Sequence, residues 1–390
     1  MIFDGSEIRH VSNCPVCNRG AVVFFDLPGY PITEVFKNFG NGDYQGQTKV
    51  DQSLRYCGPC KHLFLGTHLP KDFIYTNYVT KSRGSQGSML ALRNFYEFVM
   101  EYLTFRPDSV IDIGANDTSL LALFLHFKCK LLGIDPNVSS SIPEIECFKG
   151  YVEDFDFSDI SMGKRVFLCS HTLEHAYQPK AFFERLSSAL TSDDEVFMQF
   201  PSLELLVRDA RFDQVHHQHL NYFSLASISK LVSDFGLSVV SYRYDSDHYG
   251  ALMCRIRKCF AVGTSTKPGL DQSDLNAAHG VFMQSINAAE RRIAAFKDDF
   301  YCFGASLMLP ILGFYIPSLH RACSILDGSP AKLGLTYVNF ERPIASDAGF
   351  HFNEADFVVT AVATKAAARS VTNFLSQRGA RNIVLPLNML

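Results

Sequence analysis

The chain has 390 residues, 47% of them hydrophobic, with a formal net charge of −4 and no dense basic run. That length suits two or three globular domains with a sizeable core, and the weak charge gives no field to attract nucleic acid or an anionic membrane, so neither is expected as a partner. The opening MIFDGSEIRH lacks the basic start and apolar core of a secretion signal, and the apolar stretch 301–317 is broken by Pro310 and too short to span a bilayer. The expectation is a cytoplasmic enzyme.

Two CxxC knuckles come first, Cys14-Pro15-Val16-Cys17 and Cys57-Gly58-Pro59-Cys60, with 39 residues between them. Each knuckle turns two thiolates toward one point, and two knuckles complete a tetrahedral zinc site closed to substrate, so the metal is expected to be structural. A redox dithiol needs only one CxxC, ahead of a helix, and that context is missing. Residues 1–75 therefore read as a small zinc-binding lobe of short strands and turns. The other seven cysteines sit in apolar segments as small core residues. A polar, aromatic stretch follows, in which Tyr75 and Tyr78 either line a pocket or simply pack. Leu92, Phe95, Tyr96, Val99 and Leu103 then give helical spacing over 89–103.

The centre of the chain is VIDIGANDTSLLALF at 110–124. A β-prone run carrying Asp112 breaks at Gly114, passes Asn116, and restarts as an apolar helix face over 119–124. About twenty residues on, a second apolar strand ends in Asp135, where a carboxylate can accept both hydroxyls of a ribose. GANDTS lacks the full GxGxxG that cradles a pyrophosphate. S-adenosylmethionine has a ribose and no phosphate, so this corner fits that cofactor and a Rossmann-like methyltransferase domain. After a short third strand, Glu153 and Asp154 offer either a partner for an adenine amine or a solvated turn.

A fourth strand, 165–170, runs into His171-Thr172-Leu173-Glu174-His175. HxxEH matches a metalloprotease pattern, but that pattern needs a long helix, whereas this one leaves a strand and Pro179 opens the next helix. At the carboxyl end of a central strand His171 and His175 are expected to face a ligand crevice. The fifth strand, 195–200, precedes a histidine-rich block, Asp213-Gln214-Val215-His216-His217-Gln218-His219-Leu220-Asn221-Tyr222-Phe223-Ser224. Its imidazoles either bind a metal or provide a general base with a pKa of about 6.5; because neighbouring positions seldom converge on one ion, the base is favoured. The methyltransferase domain is expected to span 76–260. Residues 261–275 have the composition of a linker. Beyond a helix over 288–296, strand, glycine turn and helix recur, with Asp327 placed as Asp135 is, which makes 276–390 a second Rossmann-like α/β lobe.

The knuckles, VIDIGANDTSLL and DQVHHQHLNYFSLASISKLVSDFGL resemble, in order and over nearly the whole chain, the three-lobed sugar C-methyltransferases that methylate nucleotide-linked keto-deoxysugars. That family implies S-adenosylmethionine and zinc, a nucleotide-linked sugar as substrate, and a base at His219. A second histidine falls on His175, and a loop tyrosine falls near Tyr78 or Tyr75. The implied reaction removes a proton beside a ketone, stabilises the enolate with His175 or a tyrosine hydroxyl, and attacks the sulfonium methyl in line. Departures lie at His216, where the family commonly has tyrosine, and at Gln218, where it has glutamate. The C-terminal lobe lacks a customary lysine in GASLMLPIL, and the chain has no tryptophan. These departures keep two alternatives in view: O- or N-methylation of a sugar or capsule precursor, and a non-catalytic paralogue that binds the cofactor. A metal hydrolase ranks last, and a monomer is expected.

Overall fold

A computed structural model describes residues 3–40, 44–77, 81–84, 86–157, 160, 163–247, 250–258, 269–361 and 364–387. Its centre is a seven-stranded sheet in the spatial order Leu237–Asp245, Ala251–Lys258, Glu195–Pro201, Arg165–Ser170, Ser109–Ile113, Lys130–Ile134 and Ile145–Phe148. Ala251–Lys258 runs antiparallel to both neighbours, and the other pairings are parallel. Mostly apolar runs such as SVIDI and EVFMQFP are buried along their whole length, as expected of strands covered on both faces. The chain order reverses between Ser109–Ile113 and Arg165–Ser170. A ligand crevice forms at such a switch point, beyond the carboxyl ends of the strands.

Two helices differ from expectation. The one after Gly114 is a single turn, Ser119–Ala122, followed by a 3-10 turn at Leu125–Phe127. Its first-cap residue, Thr118, is left-handed and makes no side-chain capping bond, so the run gains its place from burying Leu120, Leu121 and Phe124. The helix expected over 288–296 instead begins at Gln272, inside the stretch with linker composition, and continues to Ala294. An Asp271–Asp274 capping box starts it, Lys61 pairs with Asp271, and Leu275 is buried.

The N-terminal segment builds an antiparallel sheet from Val22–Pro31, Lys49–Cys57 and His62–Leu65, and its last strand is Asn221–Tyr222 from the histidine block. Near the C-terminus, Ile344–Ser346, Ile325–Asp327, Phe300–Phe303, Asp356–Val359 and Asn382–Val384 form a parallel sheet in that order. Phe36–Asn38 pairs with Leu335–Tyr337, tying the first segment to the last. One apolar cluster runs through all three parts, including Tyr30, Tyr56, Phe212, Tyr222, Phe282, Leu309 and Phe340. Among the described residues no helix is long and apolar enough to cross a membrane.

Candidate active site

At the switch point two loops touch. Gly114 has φ +85°, and a Cβ built on it lies 1.9 Å from Thr172 Oγ1, so only glycine lets the loop after the first strand meet the loop after the fourth. Asn116 and Thr118 are also left-handed, with φ of 46° and 57°. The Asn137 and Asn116 amides donate to Asp135, at 2.6 and 3.3 Å, one to each oxygen. Each oxygen keeps lone pairs for a ribose hydroxyl, and this suits a nucleoside cofactor. Burial pushes the Asp135 pKa up. Asp112, expected among the cofactor-binding residues, is 2% exposed, its Oδ1 has no hydrogen-bond partner among the described residues, and burial, followed by repulsion from Asp135 and Asp117, pushes its pKa up to about 8. Its burial therefore favours the protonated form over the carboxylate.

Asp117 was not singled out in the sequence. Burial opposes its charge, but bonds from Arg83 and Ser119 hold its carboxyl below the usual range. The Arg83 amide donates at 2.9 Å, and Lys81 Nζ donates to Asn116 Oδ1 at 3.1 Å, so both ends of 81–84 are tied to the cofactor corner. Glu153 and Asp154 are exposed on a 3-10 turn, Val152–Asp154. Tyr78 lies outside the described residues; Tyr75 belongs to the helix Lys71–Asn77.

The two histidine-bearing segments are joined to each other. His175 Nδ1 donates to the Gln218 carbonyl at 2.7 Å, which leaves its Nε2 with a lone pair. Asn221 Nδ2 donates to the Ala176 carbonyl at 2.7 Å, fixing the turn that carries His175. The His175 and His219 ring centroids are 5.1 Å apart, and those of His216 and His219 are 3.9 Å apart. Burial, then neighbouring imidazoles, hold His216 and His219 well below the ordinary histidine pKa, so both are neutral. His171 stands 3.4 Å by Nδ1 from Glu174, a buried carboxylate that the sequence reading gave no role.

His217 points elsewhere. Gln52 Nε2 lies 3.2 Å from its Nδ1 and also donates to the Thr67 carbonyl, so Nδ1 accepts and Nε2 donates toward the Tyr30 carbonyl at 3.5 Å. It is a neutral core residue of the N-terminal sheet. Gln218 donates to Glu34 Oε2 at 2.9 Å. The carboxylate that the resembled family carries at position 218 is therefore present beside it, delivered by another segment. Neither Glu34 nor Asn221 has a local sequence signal, because each reaches the site only through the pairing of lobes.

Cys14, Cys17, Cys57 and Cys60 bring their four sulfurs within 4.8 Å of one another. Zn–S bonds of about 2.3 Å in a tetrahedron place sulfurs about 3.8 Å apart, and Cys17 and Cys57 are 3.7 Å apart. Asn18 and Lys61, each just after a knuckle, are left-handed at φ 62° and 54° and turn the chain back over the sulfurs. The four residues fit a zinc ion. They share an apolar cluster with Phe64, Phe223 and residues of the central sheet.

Residues 89–242 match a methyltransferase domain family. The C-methyltransferase NovU of Streptomyces niveus is 22% identical over 259 residues, a match covering 63% of this chain and 60% of that protein's length. Two solved structures are similar over part of the chain. The 1,6-didemethyltoxoflavin-N1-methyltransferase of Burkholderia thailandensis, solved with 1,6-didemethyltoxoflavin and S-adenosylhomocysteine, has a TM-score of 0.39 and 14% identity, covering 57% of this chain and all of that one. The magnesium protoporphyrin IX methyltransferase of Synechocystis PCC 6803, with bound SAH, has a TM-score of 0.35 and 14% identity, covering 44% of this chain and 84% of that one. The similarity to a methyltransferase domain thus lies in the part of the chain that forms the central sheet, and the chain spans about three-fifths of the length of the curated relative it matches.

Proposed function

We propose that this chain, through the methyltransferase domain within it, moves a methyl group from S-adenosylmethionine to a carbon beside a ketone on a nucleotide-linked sugar. The observation that carries the reading is the meeting of His175 and His219, 5.1 Å apart, on segments that converge at the switch point where Gly114 touches Thr172. Gly114, Asn116 and Asp135 hold the nucleoside end of the cofactor. The ketone acidifies the neighbouring C–H. That bond breaks toward a neutral imidazole of the cluster, His219 in the resembled family's terms, and the electron pair becomes an enolate. The enolate carbon attacks the sulfonium methyl, leaving S-adenosylhomocysteine and an imidazolium. The lowered pKa of His216 and His219 suits this work, because an unprotonated lone pair is available at neutral pH. The similarity to a C-methyltransferase supports carbon as the acceptor. Zinc held by Cys14, Cys17, Cys57 and Cys60 would have a structural task, since four sulfurs would leave it no open position.

The test is methyl transfer from labelled cofactor to a panel of nucleotide-linked keto sugars, with solvent proton exchange at the acceptor carbon followed by NMR. Exchange before transfer is the expected result. Transfer to a hydroxyl without exchange identifies an O-methyltransferase instead, and failure to bind the cofactor at all overturns the reading.

A further inference from the structure

HTLEH has no metal role in the sequence reading because a strand, not a long helix, delivers it. The structure supplies a substitute for the helix. One 3-10 turn, Leu173–His175, brings the Glu174 carboxylate back to 3.4 Å from His171 Nδ1 and 4.0 Å from His175 Nε2. A further imidazole comes from the second histidine segment: Glu174, His175 and His219 each offer one ligand atom, all within 4.8 Å of one another. Glu174 has 1% of its surface exposed, and neither of its oxygens accepts a hydrogen bond among the described residues. A carboxylate withdrawn from water without a donor is strongly unfavourable unless a cation faces it. His175 is also wired as a metal-bound imidazole is, its Nδ1–H spent on the Gln218 carbonyl so that Nε2 is the free lone pair.

We propose that Glu174, His175 and His219 bind one divalent transition-metal cation, separate from the four-cysteine site. Two imidazoles and one carboxylate suit manganese, iron(II), cobalt or zinc, and a three-ligand set leaves positions open for an oxygen of the acceptor. Metal–ligand bonds of about 2.1 Å put ligand atoms about 3.0–3.4 Å apart, so the trio closes by roughly an ångström around the ion. The inference goes beyond the methyl-transfer reading and changes one role in it. An imidazole whose lone pair lies on an ion cannot also take a proton, so in the ion-bound enzyme His219 is a ligand, the cation holds the acceptor's oxygen, and the proton of the acceptor carbon goes to His216, whose ring lies 3.9 Å from that of His219.

The experiment titrates the full chain with Mn²⁺, read by electron paramagnetic resonance, alongside total metal analysis and calorimetric binding of S-adenosylmethionine. The expected result is one Mn²⁺ per chain in addition to the cysteine-held zinc. Glu174→Gln, an isosteric change, weakens Mn²⁺ at least tenfold, and His219→Gln does the same; zinc and cofactor binding persist in both, and this persistence shows that the variants are folded. No Mn²⁺ bound by the unaltered chain, or undiminished Mn²⁺ affinity in both variants, overturns the site. Mn²⁺ binding that depends on Glu174 in a chain that binds no S-adenosylmethionine upholds the site while removing the methyl-transfer reading.

Discussion

Gly114→Ala places a methyl group where the loop after the fourth strand already stands. The new Cβ lies 1.9 Å from Thr172 Oγ1 and 2.7 Å from Thr172 Cβ and Cγ2, against an ordinary contact of about 3.5 Å. Thr172 cannot swing away freely: Oγ1 donates to the Ser170 carbonyl at 3.1 Å, and His171 before it is fixed at φ 50°. Forcing such an overlap costs about 1–3 kcal/mol, and holding alanine at φ +85° adds about 1–2 kcal/mol. The sum, roughly 2–5 kcal/mol, divides between global stability and the affinity for S-adenosylmethionine, because the loop that must move borders the cofactor corner. Thermal unfolding reads the first share and titration calorimetry the second. Adding Thr172→Gly removes the overlap and leaves the backbone strain, so a double-mutant cycle returns a favourable coupling of about 1–3 kcal/mol. A Gly114→Ala protein with unchanged melting temperature and cofactor affinity within twofold refutes the account of this corner.

Three further outcomes follow from the same structure. Cys57→Ser opens the four-sulfur set, so the chain loses its zinc on metal analysis and melts at lower temperature, with the N-terminal sheet most exposed to proteolysis. Asp112 has a folded pKa of about 8, above its unfolded value, so the folded state keeps a proton that the unfolded chain releases. Its contribution to stability therefore declines as pH rises from about 4 to 8, and Asp112→Asn flattens that decline in denaturant titrations. The buried histidines act in the opposite direction. His68 and His217 are held at about 4, and His62, His216 and His219 are also depressed, so unfolding takes up protons below pH about 6.5 and stability falls as pH drops toward 4. Denaturant midpoints that are equal at pH 7 and pH 5 contradict that assignment.

The central strands were legible because each is a short apolar run ending in a turn signal, and because Asp135 follows Gly114 at a spacing that the fold sets. Asp271 and Asp274 likewise carry a helix-start signal within a stretch whose composition alone suggests a linker. The histidine block was legible as a cluster but not as an arrangement. His216 and His219 are three apart and lie ring to ring, whereas His217 between them turns into the N-terminal sheet. No repeat in the sequence announces that alternation, since the segment is a 3-10 turn followed by irregular chain. Glu34 was opaque for a different reason: it meets Gln218 only after distant parts of the chain have docked, at a separation that local pattern cannot encode. Glu174 meets His171 three residues away, and only His219 reaches it from a distant segment.

Asn221–Tyr222, the two-residue strand that completes the N-terminal sheet, sets the slack available to the segment before it. Residues 202–220 are fastened at one end to the central sheet through Pro201 and at the other to His62–Leu65, with the Arg211–Asp213 pair buried between. Such a span tolerates exchange of side chains more readily than a change of length. Related chains that differ in substrate are accordingly expected to vary the residues at 216 and 218 while conserving the count of residues between the two fastenings. An insertion there would slide His219 along its own anchor and out of reach of His175.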